Sequence, residues 1–99
     1  MKSPQECQSI QEVRECIDTI DNQIIELIAQ RFEYVKAVVP FKEKTVDAII
    51  AKERKDQVLR ERRELAQKHG LNPDAIEEMY KLLIQYFIEE EMQLLDNHK

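Results

Sequence analysis

One row of apolar residues constrains this chain more than anything else in it. Ile10, Val13, Ile17, Ile20, Ile24 and Leu27 recur at alternating spacings of three and four residues. That is the seam of a heptad, and Ile28, Phe32, Val35 and Val39 form a second row beside it. The pattern predicts a helix from about Ser9 to Val39. Ser9 can cap its start, and Glu12 three residues later completes a capping box. Pro40 stops it, since proline has no N–H and restricts the residue before it. A helix of this length measures about 45 Å at about 1.5 Å per residue. A domain of about 100 residues has a radius of gyration near 13 Å. The helix therefore overshoots any core that this chain can build alone, and a partner must cover part of the seam. The expectation is an intertwined homodimer.

Two further segments follow. The second runs from about Ala48 or Ala51 to Lys68, with Val58, Leu59, Leu65 and Ala66 as its apolar side. His69-Gly70 closes it, glycine supplying a left-handed cap. The third starts at Asn72-Pro73, a capping residue followed by proline at the first helical position. Its stripe is Ile76, Tyr80, Leu83, Phe87 and Leu94, broadened by Met79, Ile84, Ile88 and Leu95. Phe41–Asp47 reads as a polar loop. The predicted fold is all-α, one domain over residues 1–99, with three helices in the order long, short, long.

Composition narrows the function. A single glycine among 99 residues excludes a glycine-rich phosphate loop or dinucleotide fingerprint, and argues against a sheet protein. Cys7, Cys16, His69 and His98 are scattered and build no zinc pattern. The two serines, both near the N-terminus, leave little room for a serine triad. Fifteen Lys+Arg against 20 Asp+Glu give a net charge of −5, which disfavours broad nucleic-acid binding. No apolar run approaches a membrane span, and no signal peptide is visible. The expected compartment is the cytoplasm, with both cysteines reduced and inert.

Charges that interrupt apolar stripes carry the functional signal. Arg31 follows Leu27 by four residues, on the seam itself. Glu91 follows Phe87 by four and precedes Leu94 by three. A buried unpaired charge costs several kcal/mol or is neutralised, so each needs a partner, a wet pocket or a ligand. The plain alternatives are a snorkelling or paired interface arginine and an exposed carboxylate at a helix end. Arg31 and Lys42 lie eleven residues apart, about 20° out of phase at about 100° per residue. Arg14 and Arg31 are separated by about 26 Å along one helix. They can share a small ligand only if Arg14 comes from a second chain. With Arg54, four cations then surround one glutamate, which suits a ligand with more than one carboxylate. No nucleophile, metal cluster or histidine base accompanies them. Any catalysis should rest on charge and shape, as in the rearrangement of a bound dianion, and no cofactor is expected.

These residues resemble a known family. Arg14-x-x-Ile17-Asp18-x-Ile20-Asp21-x-x-Ile24-x-x-Leu27-x-x-x-Arg31, followed by Tyr34-Val35-Lys36, Phe41-Lys42, Glu53-Arg54 and Glu91, is similar to the helical chorismate mutases. The likeness runs from about Val13 to Leu95. Met1-Lys2-Ser3-Pro4 with Cys7, Tyr34-Val35-Lys36-Ala37 and Phe41-Lys42 resemble most the isochorismate pyruvate lyase branch, which makes salicylate for siderophores. The resemblance implies an intertwined all-α homodimer with two equivalent sites and a cofactor-free pericyclic reaction on a small dicarboxylate. By it, Arg14 of one chain, with Arg31, Lys42 and Arg54 of the other, clamps the carboxylates and the ether oxygen. Lys42, Arg31 and Glu91 are the catalytic candidates, and Glu91 faces the ether oxygen, to which only a protonated carboxyl can donate. The chain departs from the mutases in two places. Ala51 and Lys55 stand where mutases carry the acidic residues that hold the C4 hydroxyl of chorismate. Glu91 stands where many members carry glutamine.

Isochorismate pyruvate lyase is thus the leading expectation, and chorismate mutase the alternative, as a main or secondary activity. A helical dimerisation module without catalysis explains the seam equally well but not Arg31 and Glu91. Asp18 and Asp21, both off the seam, read as solvent-facing or structural. The run Arg60-Glu61-Arg62-Arg63-Glu64 reads as a solvated helix face with pairs such as Arg60–Glu64, rather than an RNA patch. The aromatic residues read mainly as core, with Phe41 beside Lys42 as the exception.

Overall fold

The computed structural model describes residues 1–42 and 45–97, Asn97 by its backbone alone. Glu43 and Lys44 of the expected loop, and His98, lie outside the described residues. The elements are α1 (Ile10–Val38), α2 (Val46–Ile50), α3 (Lys52–Lys68) and α4 (Pro73–Asn97), with short 3₁₀ turns at Pro4–Glu6 and Val39–Phe41. The chain is all-α, and no strand occurs among the described residues. The long–short–long plan holds, with α2 as a single extra turn ahead of the middle helix. The chain divides into two units, Met1–Tyr34 and Val35–Lys99.

In the first unit, Ser9 caps α1 as its sequence position requires: its Oγ accepts from the Glu12 N–H at 3.1 Å. The return half of the expected capping box is displaced by one residue. Glu12 Oε2 accepts from the Gln8 N–H at 2.7 Å, and its Oε1 accepts from Lys2 Nζ at 2.9 Å. These bonds, the Gln8 amide foremost, hold the Glu12 carboxyl below its ordinary range. Ser3 and Glu6 cap the preceding 3₁₀ turn, the Ser3 N–H donating to Glu6 Oε1 at 3.1 Å. The residues ahead of α1 thus fold back along its first turns. No residue of α1 is buried, and the heptad seam is exposed throughout, Ile17 at 50% and Leu27 at 61%. Ile28 and Phe32 of the adjoining row are half-buried, while Asp18 and Asp21 are exposed as expected.

In the second unit α1 ends at Val38 and Pro40 sits inside a 3₁₀ turn, which the Lys42 N–H closes on the Val39 carbonyl at 3.1 Å. The expected loop is shorter than its sequence suggests. Thr45 Oγ1 accepts from the Ala48 N–H at 3.1 Å and starts α2. Ala51 then adopts φ 44 and ψ 60, the left-handed region, and separates α2 from α3. A Cβ in that region meets the following carbonyl oxygen, so packing on either side must hold Ala51 there.

Ile49 of α2 supplies that packing. It is buried in a cluster with Ile88 and Leu95 of α4, against which Ile84 and Met92 lie half-buried. Val58, Leu59 and Ala66 of α3 and Phe87 of α4 complete the buried set, each large apolar side chain contributing roughly 1.5–3 kcal/mol. Leu65 and Met79, expected on the apolar faces, are exposed. The turn between α3 and α4 follows its sequence signals. Gly70 has φ 73, and the Leu71 N–H reaches back to the Ala66 carbonyl at 2.8 Å. Asn72 Oδ1 accepts from the N–H groups of Asp74 and Ala75. Arg63 spans the hairpin to Asp74 at 2.8 Å and Glu77 at 3.2 Å. Of the rest of that charged run, Arg60, Glu61 and Glu64 are exposed on a solvated face, while Arg62 is half-buried.

A Cβ at Gly70 meets nothing within 4 Å, so its cost is purely conformational. Gly70→Ala should destabilise the protein by about 1 kcal/mol, read as a lower urea midpoint with an unchanged slope. An unchanged midpoint would show that the turn does not depend on the left-handed conformation.

Candidate active site

Glu91 lies on the inward side of α4, one turn beyond Phe87, and is only 5% exposed. The stripe that buries Phe87, Ile88 and Leu95 carries the carboxylate inward with them. Its partner is Lys42. The Lys42 ammonium donates to Glu91 Oε2 at 3.0 Å and to the Ile49 carbonyl oxygen at 3.5 Å. Lys42 is half-buried, and it leaves the 3₁₀ turn in extended backbone, φ −91 and ψ 151. Three elements therefore converge: the end of the Val39–Phe41 turn brings the cation, α4 the anion, and α2 a carbonyl.

Such a pair is held by necessity more than by attraction. Removing water from two charges costs about as much as their Coulomb energy returns, yet removing one partner leaves a buried charge and costs roughly 3–5 kcal/mol. The arrangement also leaves capacity for a ligand. An ammonium carries three N–H donors, and two acceptors use two of them. A ligand oxygen can take the third.

Three further candidates remain: Arg54, Arg14 and Arg31. Arg54 opens α3, is exposed, and donates from Nη1 to Gln57 Oε1 at 3.0 Å on its own helix. Lys55 is half-buried, its N–H donating to the Ala51 carbonyl as the first bond of α3. Arg14 and Arg31 both belong to the first unit, on α1, Arg14 exposed and Arg31 half-buried. Of the five, Lys42 and Glu91 are in direct contact. Phe41 beside them is 88% exposed and serves no core role. Two participants escaped the sequence reading, the Ile49 carbonyl and the left-handed Ala51. The Thr45 cap signals α2, but nothing in an alanine signals positive φ.

A shallow apolar hollow of about 210 Å³ lies against the Gly70 turn, with Leu65, Ile76 and Tyr80 in its walls. The Arg62 guanidinium stands over the Tyr80 ring at 5.6 Å. None of the five candidates lines this hollow. Among the described residues no cluster of three metal-ligating side chains occurs, and no helix is long and apolar enough to cross a membrane.

The family model for chorismate mutase type II matches residues 13–92. The chain belongs to this family. It is 36% identical over 93 residues to the isochorismate pyruvate lyase of Pseudomonas aeruginosa, covering 94% of this chain and 91% of that one. It is also 34% identical over 74 residues to the T-protein of Haemophilus influenzae, covering 75% of this chain but only 20% of that longer protein. The chorismate mutase type II match takes in all five candidates, Arg14 to Glu91.

Because Glu91 is buried and Lys42 partly so, their interaction should be measurable. A double-mutant cycle on Lys42→Met and Glu91→Met, followed by urea unfolding, should give a coupling of about 1–3 kcal/mol. The same cycle on the exposed Lys2–Glu12 pair should give less. Equal couplings would contradict a buried pairing of Lys42 with Glu91.

Proposed function

We propose that this protein is an isochorismate pyruvate lyase, converting isochorismate to salicylate and pyruvate without a cofactor. The observation that carries the reading is the chain-long similarity to a lyase, joined to Ala51 and Lys55 at positions where mutases hold a C4 hydroxyl with carboxylates. Ala51 forms the left-handed joint between α2 and α3, and neither its side chain nor that of Lys55 can accept from that hydroxyl. Isochorismate carries its hydroxyl on C2 and makes no such demand.

The reaction requires a folded substrate more than a reactive side chain. The hydrogen on ring C2 passes to the methylene of the enolpyruvyl group while the ether C–O bond breaks. The methylene becomes the methyl of pyruvate, the ether oxygen becomes its ketone, and the ring becomes aromatic. Arg31, with Arg14 of a second copy, holds the side-chain carboxylate over the ring, and Arg54 closes the site. Lys42 faces the ether oxygen, where negative charge grows as the bond breaks. Lys42 and Glu91 together are neutral, so the arginines supply the net attraction for a dianion. Glu91 holds the ammonium at 3.0 Å and limits its motion. Such preorganised charge at a developing anion is worth several kcal/mol in enzymes generally. Chorismate mutase activity is the second reading, favoured by the family match, since the same clamp folds chorismate for rearrangement to prephenate.

Separate incubation with isochorismate and chorismate, reading salicylate fluorescence and prephenate, tests the assignment. kcat/KM should be higher for isochorismate. Faster turnover of chorismate would make the mutase reading correct.

The active form is a homodimer on this proposal. Its support is the exposed seam of α1, six apolar residues that water does not favour. Sedimentation should give twice the monomer mass at all concentrations where the chain is helical. A helical species at monomer mass would refute it.

A further inference from the structure

Cys7 and Cys16 are nine residues apart in sequence, and the fold brings both thiols against the N-terminal arm, Cys16 near enough to act on Cys7. Pro4–Glu6 turns the chain so that residues 2–7 run back along the first turns of α1. Cys7 Sγ donates to the Ser3 carbonyl at 3.6 Å. Cys16 Sγ donates to the Lys2 carbonyl at 3.8 Å. The two sulfurs thus rest on consecutive carbonyls of one turn. The Lys2–Glu12 ion pair and the Gln8–Glu12 bond fasten the same turn to the helix. Both cysteines are free and half-buried. The sequence suggests two reduced, inert thiols; the arm doubles back and brings them to one place where the sequence shows only a nine-residue gap.

We propose that Cys7 and Cys16 form a dithiol site that closes to an intrachain disulfide in the presence of a small-molecule disulfide, stapling the N-terminal arm to α1. One thiol loses its proton, and its thiolate attacks the small disulfide, giving a mixed disulfide and releasing one small thiolate. The second cysteine, deprotonated in turn, attacks the protein sulfur of that mixed disulfide and expels the other small thiolate. The protein dithiol is oxidised by two electrons, and the small disulfide is reduced to two thiols. Reversal by excess small thiol reopens the ring. Burial pushes the Cys7 thiol above its ordinary range, and the neighbouring Cys16 thiol adds to this. The resting Cys7 side chain is therefore the protonated thiol, and closure accelerates as pH rises because the thiolate is the attacking species. The closed ring fixes the start of the helix that carries Arg14, two residues before Cys16.

The test is incubation of the intact protein with oxidised glutathione, followed by thiol titration, intact mass and a non-reducing tryptic map. The expected product has no free thiols and a mass lower by two hydrogens. It runs as a single chain on a non-reducing gel, and peptides 3–14 and 15–31 stay joined until reduced. Cys16→Ser, which lacks the second thiol, should instead retain glutathione on Cys7. Stable glutathione adducts on the wild-type protein would overturn the proposal, as would chain-to-chain disulfides. So would two free thiols after conditions that fully oxidise dithiothreitol.

Discussion

A carboxylate on the apolar stripe of α4 is the constraint around which the second unit is arranged. Glu91 cannot lie 5% exposed beside Phe87, Ile88 and Leu95 without a counter-charge, because an isolated buried ion costs several kcal/mol. Lys42 supplies it at 3.0 Å. To bring Lys42 there, α1 must stop at Val38, and the chain must turn through Val39–Phe41 and leave in extended backbone. Ile49 stabilises the same point twice, its side chain in the Ile88–Leu95 cluster and its carbonyl oxygen on the Lys42 ammonium. The left-handed Ala51 follows directly and redirects the chain into α3. Packing and electrostatics here are a single arrangement.

What could be read from the residues depended on the range of the interaction. Caps are local chemistry, so Ser9, Gly70 and Asn72 were legible with their roles. The α1 boundaries followed from periodicity and Pro40. Glu91 was legible as an exception on a stripe, but its partner was not, because Lys42 lies 49 residues away and no local rule pairs them. The α2 turn was hidden because five residues are too few to show a period. Ala51 was hidden because alanine ordinarily avoids positive φ, and only the packing around it imposes that conformation. The approach of the two cysteines was hidden for the same reason as the Gln8–Glu12 bond: a short arm folds back on its own helix and makes contacts that linear spacing conceals.

On the proposed function, catalysis lies in how charge is distributed around a flexible dianion. There the neutral Lys42–Glu91 pair would place a directed donor without adding net charge, and the arginines would provide the field. This division separates binding from acceleration. Cations on the carboxylates act equally on bound substrate and transition state, whereas a donor at the ether oxygen gains strength only as the bond breaks. On the same proposal Ala51 and Lys55 bear on which isomer is accepted, because neither side chain offers an acceptor at the joint between α2 and α3.

The measurement that bears most directly on this account is kcat of Lys42→Ala beside Glu91→Gln with isochorismate, each checked for retained helicity. Lys42→Ala should lose at least about 100-fold in kcat, roughly 2.7 kcal/mol of transition-state stabilisation. Glu91→Gln should retain most activity, since the amide oxygen still accepts from the ammonium. A folded Lys42→Ala protein with near-normal kcat would contradict the account, because the ether oxygen would then need no cation from this position.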